Sequence, residues 1–545
     1  MRSRALIAVT ALGGALATGG WLLQRGLEHG GGAYVGARLF EEVLEQVANQ
    51  YVDSIPVSDL FTKATAGMVN GLGDPHSVYL TQERLSTLTE STTGNYAGLG
   101  IQIDVRDGWI TIIAPLPGTP AEQAGIQPGD RIIAVDGKPT EGLSPEEARD
   151  ALRGPRGSRV SLTVNRPGVE AHLPFSVVRA EIHVRSVRHP MMLEDGVGYV
   201  DLTIFSDSSD SELRNAIGAL RRRGMKTLLF DLRSNPGGLL EQGVAISDLF
   251  LNGGQRIVSM RGRAPGSTHD FTDEARELWP DLKLITLVDG HSASAAEIVA
   301  GALQDHDRSV LLGSTTYGKG SAQSVFPLAD DAGALKLTTA RWYTPVGRSI
   351  QKPPADSTDD EDELDGPVVQ DTVTEIPLSE RKSYATDAGR KVYGGGGITP
   401  DLIISNADSS DNMLAFWRLI GQDIPRFRDA LTEYALSVKA SKGVASPSFT
   451  VTPAMRDAFW RLARTKGITL EPGYIQQNTR AVDRLLGYEI ARFAFGTEDA
   501  FRRQVGDDRV ISAALELARG AQSERDLLAR AAERRSAKRE DVRQK

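Results

Sequence analysis

A serine and a lysine, 25 positions apart, carry the chemistry that this sequence could perform. Ser294 lies in the run Ser-Ala-Ser-Ala-Ala-Glu at residues 292–297, and Lys319 lies between two glycines. A serine hydroxyl is a weak nucleophile and needs a base within hydrogen-bond reach. A lysine can be that base only when it is neutral, a state that burial favours. A serine beside a buried, neutral lysine could therefore perform acyl chemistry, in which the hydroxyl attacks and the lysine takes its proton.

A glycine-rich run could supply a second part of the same site. Residues 231–238 read Asp-Leu-Arg-Ser-Asn-Pro-Gly-Gly. Paired glycines let a backbone approach a substrate closely, as an oxyanion pocket requires. Each run also has a simpler interpretation when it stands alone: a strand-to-helix turn, a serine that caps a helix, or an exposed lysine in a turn.

The elements that must position these residues follow from the hydrophobic pattern. We predict strands at 197–203, 227–232 and 282–288, and helices at 210–222, 239–250 and 293–304. This alternation is typical of an α/β layered core with parallel strands. The three runs that could do chemistry each follow a predicted strand, and ligand sites form at that edge of such sheets.

A smaller domain precedes this core, at residues 94–182. Alternating residues at 101–105 and 109–113, joined by Asp-Gly, predict a hairpin. A helix from Ser144 to Leu152 opens with a capping box, and a last strand is expected at 160–164.

The N-terminal part of the chain differs from this core. Arg2 and Arg4 precede an apolar run at residues 5–23, which predicts a signal peptide or membrane anchor within residues 1–30. Residues 31–93 have a helical pattern that breaks at 54–56.

Three further segments complete the predicted organisation. An inserted loop is expected at 353–392, with an acidic, proline-containing stretch at 353–371. The pattern is helical over 406–545. Its charged end, residues 521–545, is either a solvated helix or a frayed tail.

Composition narrows the function classes. The 545 residues carry a formal charge of -9 and no cysteine. The charge argues against nucleic acid as a partner, and thiol catalysis and disulfides are excluded. No His-Glu-x-x-His motif occurs, which excludes zinc peptidase chemistry of that type. We expect no metal and no cofactor.

Taken together and in order, the three runs resemble those of the carboxy-terminal processing peptidases, the tail-specific Ser–Lys proteases of family S41. The resemblance implies Ser294 as nucleophile, Lys319 as base and Gln323 as the residue that orients the lysine. It also implies an oxyanion hole from the N–H groups of Gly237 and Ala295, with Glu297 in a supporting role.

The smaller domain resembles a PDZ domain. Its Gly98, Leu99, Gly100 and Ile101 would capture the carboxylate of a peptide that adds as a strand beside residues 101–105. The implied fold is a multidomain α/β protein. A crotonase- or ClpP-like protease core at 183–405 carries the inserted PDZ domain, a helical N-terminal segment and a helical C-terminal region. The implied function is an extracytoplasmic serine endopeptidase that acts on proteins with apolar C-termini.

Several alternatives stay open. Ser292 is the competing nucleophile. Residues 313–320 nearly spell a P-loop, but glycine replaces the Ser or Thr that binds Mg²⁺. A catalytically silent PDZ adaptor and an acyl-CoA enzyme are the rival functions. The N-terminal run, if uncleaved, would bind the membrane, and the C-terminal helices could support a homo-oligomer or an adaptor.

Overall fold

The computed structural model describes residues 35–106, 108–167, 169–352, 377–404 and 413–544. The predicted signal segment, the acidic stretch at 353–371 and the boundary at 406 lie outside the described residues. Within the described part of the chain, no helix combines the length and the apolar character needed to cross a membrane. The chain divides into two compact units, residues 1–82 with 323–338, and residues 83–322 with 339–545.

The α-helices, numbered in chain order, are α1 (35–50), α2 (Val57–Asn70), α3 (Gln82–Thr93), α4 (Pro120–Gln123), α5 (Pro145–Leu152), α6 (Ser209–Arg222), α7 (Leu240–Asp248), α8 (Ala295–Asp305), α9 (Met413–Ile420), α10 (Ile424–Ala440), α11 (Pro453–Thr465), α12 (Pro472–Gln477), α13 (Thr479–Ala494), α14 (Thr497–Gly506), α15 (Arg509–Ala518) and α16 (Glu524–Gln544).

The strands are β1 (Val78–Leu80), β2 (Asn95–Gly98), β3 (Ile101–Arg106), β4 (Trp109–Pro115), β5 (Arg131–Val135), β6 (Lys138–Pro139), β7 (Arg159–Asn165), β8 (Leu173–Val178), β9 (Ala180–His183), β10 (Met191–Glu194), β11 (Val197–Asp201), β12 (Thr227–Asp231), β13 (Arg256–Gly262), β14 (His269–Thr272), β15 (Lys283–Val288), β16 (Val310–Gly313), β17 (Ser321–Pro327), β18 (Ala334–Tyr343), β19 (Ser383–Ala385), β20 (Lys391–Tyr393) and β21 (Leu402–Ile403).

The first unit contains the N-terminal helices and a strand pair. α1 and α2 are separated at the predicted break. β1 pairs antiparallel with the start of β18, with Tyr79 opposite Leu335. Apolar side chains of α1, among them Leu39 and Val43, are exposed.

The second unit is built on a six-stranded sheet of order β10-β11-β12-β15-β16-β21. β10 is antiparallel to β11, and the remaining neighbours are parallel. The α/β core expected from the sequence is confirmed, and the strands at 197–203, 227–232 and 282–288 start within one residue of prediction. One face of the sheet packs against α6, α7 and α8 around the buried rings of Phe205, Phe230 and Phe250.

The C-terminal helices α15 and α16 cover the other face of this sheet. Ile511 and Leu517 of α15 and Leu527 of α16 pack with strand residues such as Leu229 and Ile285. Residues 521–545 were predicted to be either a solvated helix or a frayed tail. That prediction needs correction, because the first turns of α16 are partly buried against the core. Burial of each such side chain contributes about 1.5–3 kcal/mol.

The domain at 94–182 contains a sheet of order β3-β4-β5-β7-β8, with β6 beside β5. The capping box is confirmed, since Ser144 and Glu147 exchange hydrogen bonds between side chain and backbone. The prediction that 160–164 is the last strand was wrong. β8 pairs with β7, and β9 returns to pair with β2.

Helices α10, α11 and α13 belong to a bundle with its own aromatic core around Phe427 and Phe459. This bundle contacts the outer face of the β3-β4-β5 sheet. Asp429 of α10 is paired with Arg131 and lies 3.8 Å from Arg106. Within the predicted C-terminal region, the bundle of α10, α11 and α13 thus contacts the domain at 94–182, whereas α15 and α16 cover the core sheet.

Candidate active site

Three turns that carry the predicted catalytic residues meet at one edge of the core sheet. β12, β15 and β16 are neighbours and parallel, so their carboxyl ends lie together. Backbone hydrogen bonds join the turns that follow them. The N–H of Ala293 donates to the carbonyl of Asn235 (2.9 Å), and that of Tyr317 donates to Ser292 (3.0 Å). The fold therefore brings the three runs into one site.

Ser294 lies immediately before α8 in a strained conformation. Its φ is 53° and its ψ is −115°, a combination that residues with a side chain rarely adopt. The residue is partly exposed, and the next N–H, that of Ala295, belongs to the first turn of the helix. Amides in that turn have no carbonyl partner within the helix and can bind an anion. Sequence reasoning located this serine but missed the strain.

Gly237 lies directly against Ser294. A Cβ added to this glycine would come within 2.8 Å of the Ser294 Cβ, and its φ of 97° also favours glycine. The N–H of Gly237, which the family resemblance places in the oxyanion hole, donates to Asn235 Oδ1 at 2.8 Å. Asn235 is fully buried and donates in turn to the carbonyl of Leu202. This asparagine was not singled out from the sequence.

Glu297 joins the serine segment to the lysine segment. Its carboxylate is fully buried and accepts the N–H groups of Ser294 (2.9 Å), Gly318 (2.7 Å) and Lys319 (2.9 Å). The hydroxyl of Thr316 donates to the same carboxylate. Burial raises the pKa of Glu297 to about 6 against the lowering effect of these hydrogen bonds, so the group is mainly ionised at neutral pH.

The backbone on both sides of Lys319 is also held in place. Gly318 has a φ of 93°, and a Cβ there would meet the Lys352 side chain at 2.8 Å. The buried Trp342 donates its indole N–H to the carbonyl of Lys319 at 3.1 Å. Lys319 itself is partly buried and precedes β17. β17 begins two residues after Lys319, where a P-loop would instead lead into a helix.

The remaining predicted residues have separate surroundings. Ser292 is fully buried, donates to the carbonyl of Leu232 and accepts the N–H of Asp289. These bonds give Ser292 a structural role that the sequence left open. Gln323 lies in the first unit, where its Nε2 donates to Thr338 Oγ1 at 3.1 Å.

Two family models match parts of this chain. Residues 196–358 match the model of peptidase family S41, and residues 111–166 match a PDZ domain model. A carboxy-terminal-processing protease of Bartonella bacilliformis is 39% identical over 361 residues, which are 65% of this chain and 79% of that protein. This chain belongs to the carboxy-terminal-processing protease family.

Two further proteins are similar to this peptidase. The carboxy-terminal processing protease CtpA of Bacillus subtilis is 36% identical over 308 residues, 56% of this chain and 65% of that protein. The solved photosystem II D1 C-terminal processing protease is 28% identical, with a TM-score of 0.33, over 57% of this chain and 89% of that chain. The family matches identify a serine-type peptidase with a PDZ domain.

In this peptidase the PDZ residues predicted to bind a peptide form one corner of the domain. Gly98 ends β2, Ile101 begins β3, and Leu99 between them is buried. β3 is the edge strand of its sheet, and α5 packs beside it. An edge strand next to a helix is the geometry that a peptide needs in order to add as a further strand.

Proposed function

We propose that the peptidase is a serine endopeptidase in which Ser294 is the nucleophile and Lys319 is its general base. The observation that supports this most strongly is the Glu297 carboxylate, which binds the backbone N–H of both residues. A single buried side chain thereby holds the two segments in register. The 25-residue spacing of the two residues along the chain could not by itself provide that constraint.

The proposed reaction proceeds through an acyl-enzyme. Neutral Lys319 Nζ takes the hydroxyl proton as Ser294 Oγ attacks the peptide carbonyl carbon. The N–H groups of Ala295 and Gly237 stabilise the oxyanion, and the latter gives up or shares its bond to Asn235. The tetrahedral intermediate then collapses and expels the amine of the leaving peptide, which takes the proton from Lys319. Water then hydrolyses the ester with the same base. The orienting role of Gln323 stays a prediction.

The PDZ domain is proposed to select the substrate. A C-terminal tail would add beside β3, and the loop at residues 98–101 would bind its carboxylate through backbone N–H groups. Ile101 and Ile103 of β3 are partly buried apolar residues packed against the domain core, and an apolar tail beside β3 would extend this apolar surface. The N-terminal apolar run supports an extracytoplasmic location, where exported proteins are the substrates.

Cleavage of an unstructured protein with an apolar C-terminus tests the nucleophile. The full chain is compared with Ser294→Ala and with Ser292→Ala as the matched control. We expect Ser294→Ala to abolish cleavage, a loss of at least about 10³-fold, because no nucleophile remains. Ser292→Ala should retain measurable cleavage, since its hydroxyl is engaged by Leu232 and Asp289. Equal cleavage by wild type and Ser294→Ala would reject the assignment.

The same substrate with an amidated C-terminus tests the selection of tails. Amidation removes the carboxylate that the loop at residues 98–101 would bind. We expect slower cleavage of the amide at low substrate concentration and equal rates at saturation. If both forms are cleaved alike at all concentrations, the PDZ domain does not select the substrate through its carboxylate.

A further inference from the structure

An ion pair links the C-terminal helices to the glycine-rich turn of the active site. Arg233 Nη1 donates to Asp508 Oδ2 at 2.7 Å, and both side chains are less than one-fifth exposed. The other edge of the guanidinium is bound to Asp231, which Nη2 contacts at 2.6 Å. Arg233 thus lies between a carboxylate of the core strand β12 and a carboxylate at the start of α15.

We propose that Asp508 is a positioning residue for catalysis, which acts on Ser294 through Arg233 and the turn at residues 231–238. This inference rests on the proposed function of Ser294. It assigns a catalytic purpose to a region beyond the matched S41 segment, which ends at residue 358.

The carboxylate of Asp508 is held rigidly. Its Oδ1 accepts the N–H groups of Val510 (2.8 Å) and Ile511 (3.0 Å), so it caps the helix while Oδ2 binds the arginine. Val510 and Ile511 are themselves buried against the core sheet. A capped and packed helix end gives the ion pair a fixed anchor.

The turn transmits this anchor to the nucleophile. Directly after Arg233, Ser234 adopts a φ of 56° and donates its N–H to Asp289 Oδ1 at 2.9 Å. Gly237 follows in the same turn and lies against Ser294. Three residues without regular structure separate the arginine from Gly237, so the side chain of Arg233 contributes to the position of the turn.

Loss of the Asp508 charge should therefore disturb the chemical step. Arg233 would keep its ion pair with Asp231 but lose the one with residue 508, and its guanidinium could move toward β12. Displacement of an oxyanion donor by a fraction of an ångström lowers the rate of the chemical step. Binding of the peptide tail at the PDZ domain should not change.

The test compares steady-state cleavage by the full-length wild type, Asp508→Asn and a matched control. Asparagine caps a helix as well as aspartate does, so this substitution removes the charge and keeps the cap. The control is Glu194→Gln, which breaks an exposed ion pair between Arg519 and β10 and so loosens another contact of the same C-terminal region. Melting temperatures of all three proteins show whether they are equally folded.

We expect Asp508→Asn to lower kcat about tenfold while KM stays within about twofold of wild type. Asp508→Glu should recover part of kcat, and Glu194→Gln should leave both constants unchanged. Asp508→Glu also serves as the test variant if the asparagine protein is not folded. An unchanged kcat in the folded variants, or an equal loss in the control, would overturn the inference. Wild-type cleavage that survives Ser294→Ala would instead reject the proposed function on which it rests.

Discussion

At the scale of single residues, the site depends on a carboxylate whose purpose the sequence only partly reveals. Ser294, Lys319 and Glu297 were predicted as members of one site from the order of their runs and the family resemblance. That Glu297 accepts hydrogen bonds from both segments could not be predicted, because its donors come together only when β15 and β16 pair. The strained φ of Ser294 was not predicted either, and Gly237 lies directly against this residue.

We expect Glu297→Gln to lower both stability and activity. The glutamine amide has one acceptor oxygen, so its NH₂ group would face donors that the carboxylate now binds. Each buried donor left unpaired costs about 1–3 kcal/mol, and two such donors amount to a loss of roughly 2–6 kcal/mol. Urea unfolding measures the free energy of unfolding, and peptide cleavage should show kcat reduced about tenfold or more.

The control for this prediction is Glu516→Gln, an exposed glutamate of α15 that is paired with Arg534. That substitution should change the free energy of unfolding by less than about 1 kcal/mol. If Glu297→Gln behaves like this control, the carboxylate does not hold the two segments together.

At the scale of elements, hydrophobic periodicity predicted the strands and helices of the core sheet well and the last strands of the PDZ domain poorly. The six predicted strands and helices from 197 to 304 exist because long, strongly patterned segments satisfy the sheet and its covering helices at once. β8 was missed because Pro174 interrupts its alternation, and β9 because only Ile182 of its four residues is buried and apolar. Short strands at an edge carry too little pattern to be distinguished from a loop.

The position of α16 makes a prediction about pH. Glu524 at its start accepts the N–H of Leu284 (2.8 Å), while its Oε1 is buried without a hydrogen-bond partner among the described residues. Burial raises the pKa of Glu524 from 4.5 to about 8, against the lowering effects of the Leu284 N–H and of Arg308, Lys283 and Arg390.

Because the pKa in the folded state exceeds the unfolded value, this group's contribution to stability is full below pH 4.5 and lost as pH rises through about 8. Within that window, the free energy of unfolding falls by at most about 1.4 kcal/mol per pH unit because of this group. Glu524→Gln should remove it, so the variant should gain stability over wild type as pH rises from 5 to 8. Parallel melting temperatures of wild type and variant across this range would contradict the prediction.

At the scale of the whole molecule, the C-terminal region was the part that sequence reasoning resolved least. A helical pattern indicates that a segment has an apolar face, but it does not specify which surface covers that face. The structure divides the region between two tasks within the second unit. α10 and its neighbours contact the PDZ sheet through Asp429, whereas α15 and α16 complete the hydrophobic core of the protease sheet. The family resemblance implied a protease core that ends at residue 405 and did not anticipate either contact.

The activation of Ser294 by a lysine is tested by substitution of Lys319. Cleavage of an unstructured protein with an apolar C-terminus is measured for wild type, Lys319→Ala and Lys352→Ala, with folding checked by circular dichroism. Lys352 is the matched control, because it is a second lysine beside the same segment. Its N–H, which alanine keeps, donates to the carbonyl of Gly318, and its side chain lies next to Tyr317. Removal of a general base should lower kcat by about 10²- to 10⁴-fold, and Lys352→Ala should cleave at close to the wild-type rate. Cleavage at the wild-type rate by folded Lys319→Ala would show that Lys319 is not the base.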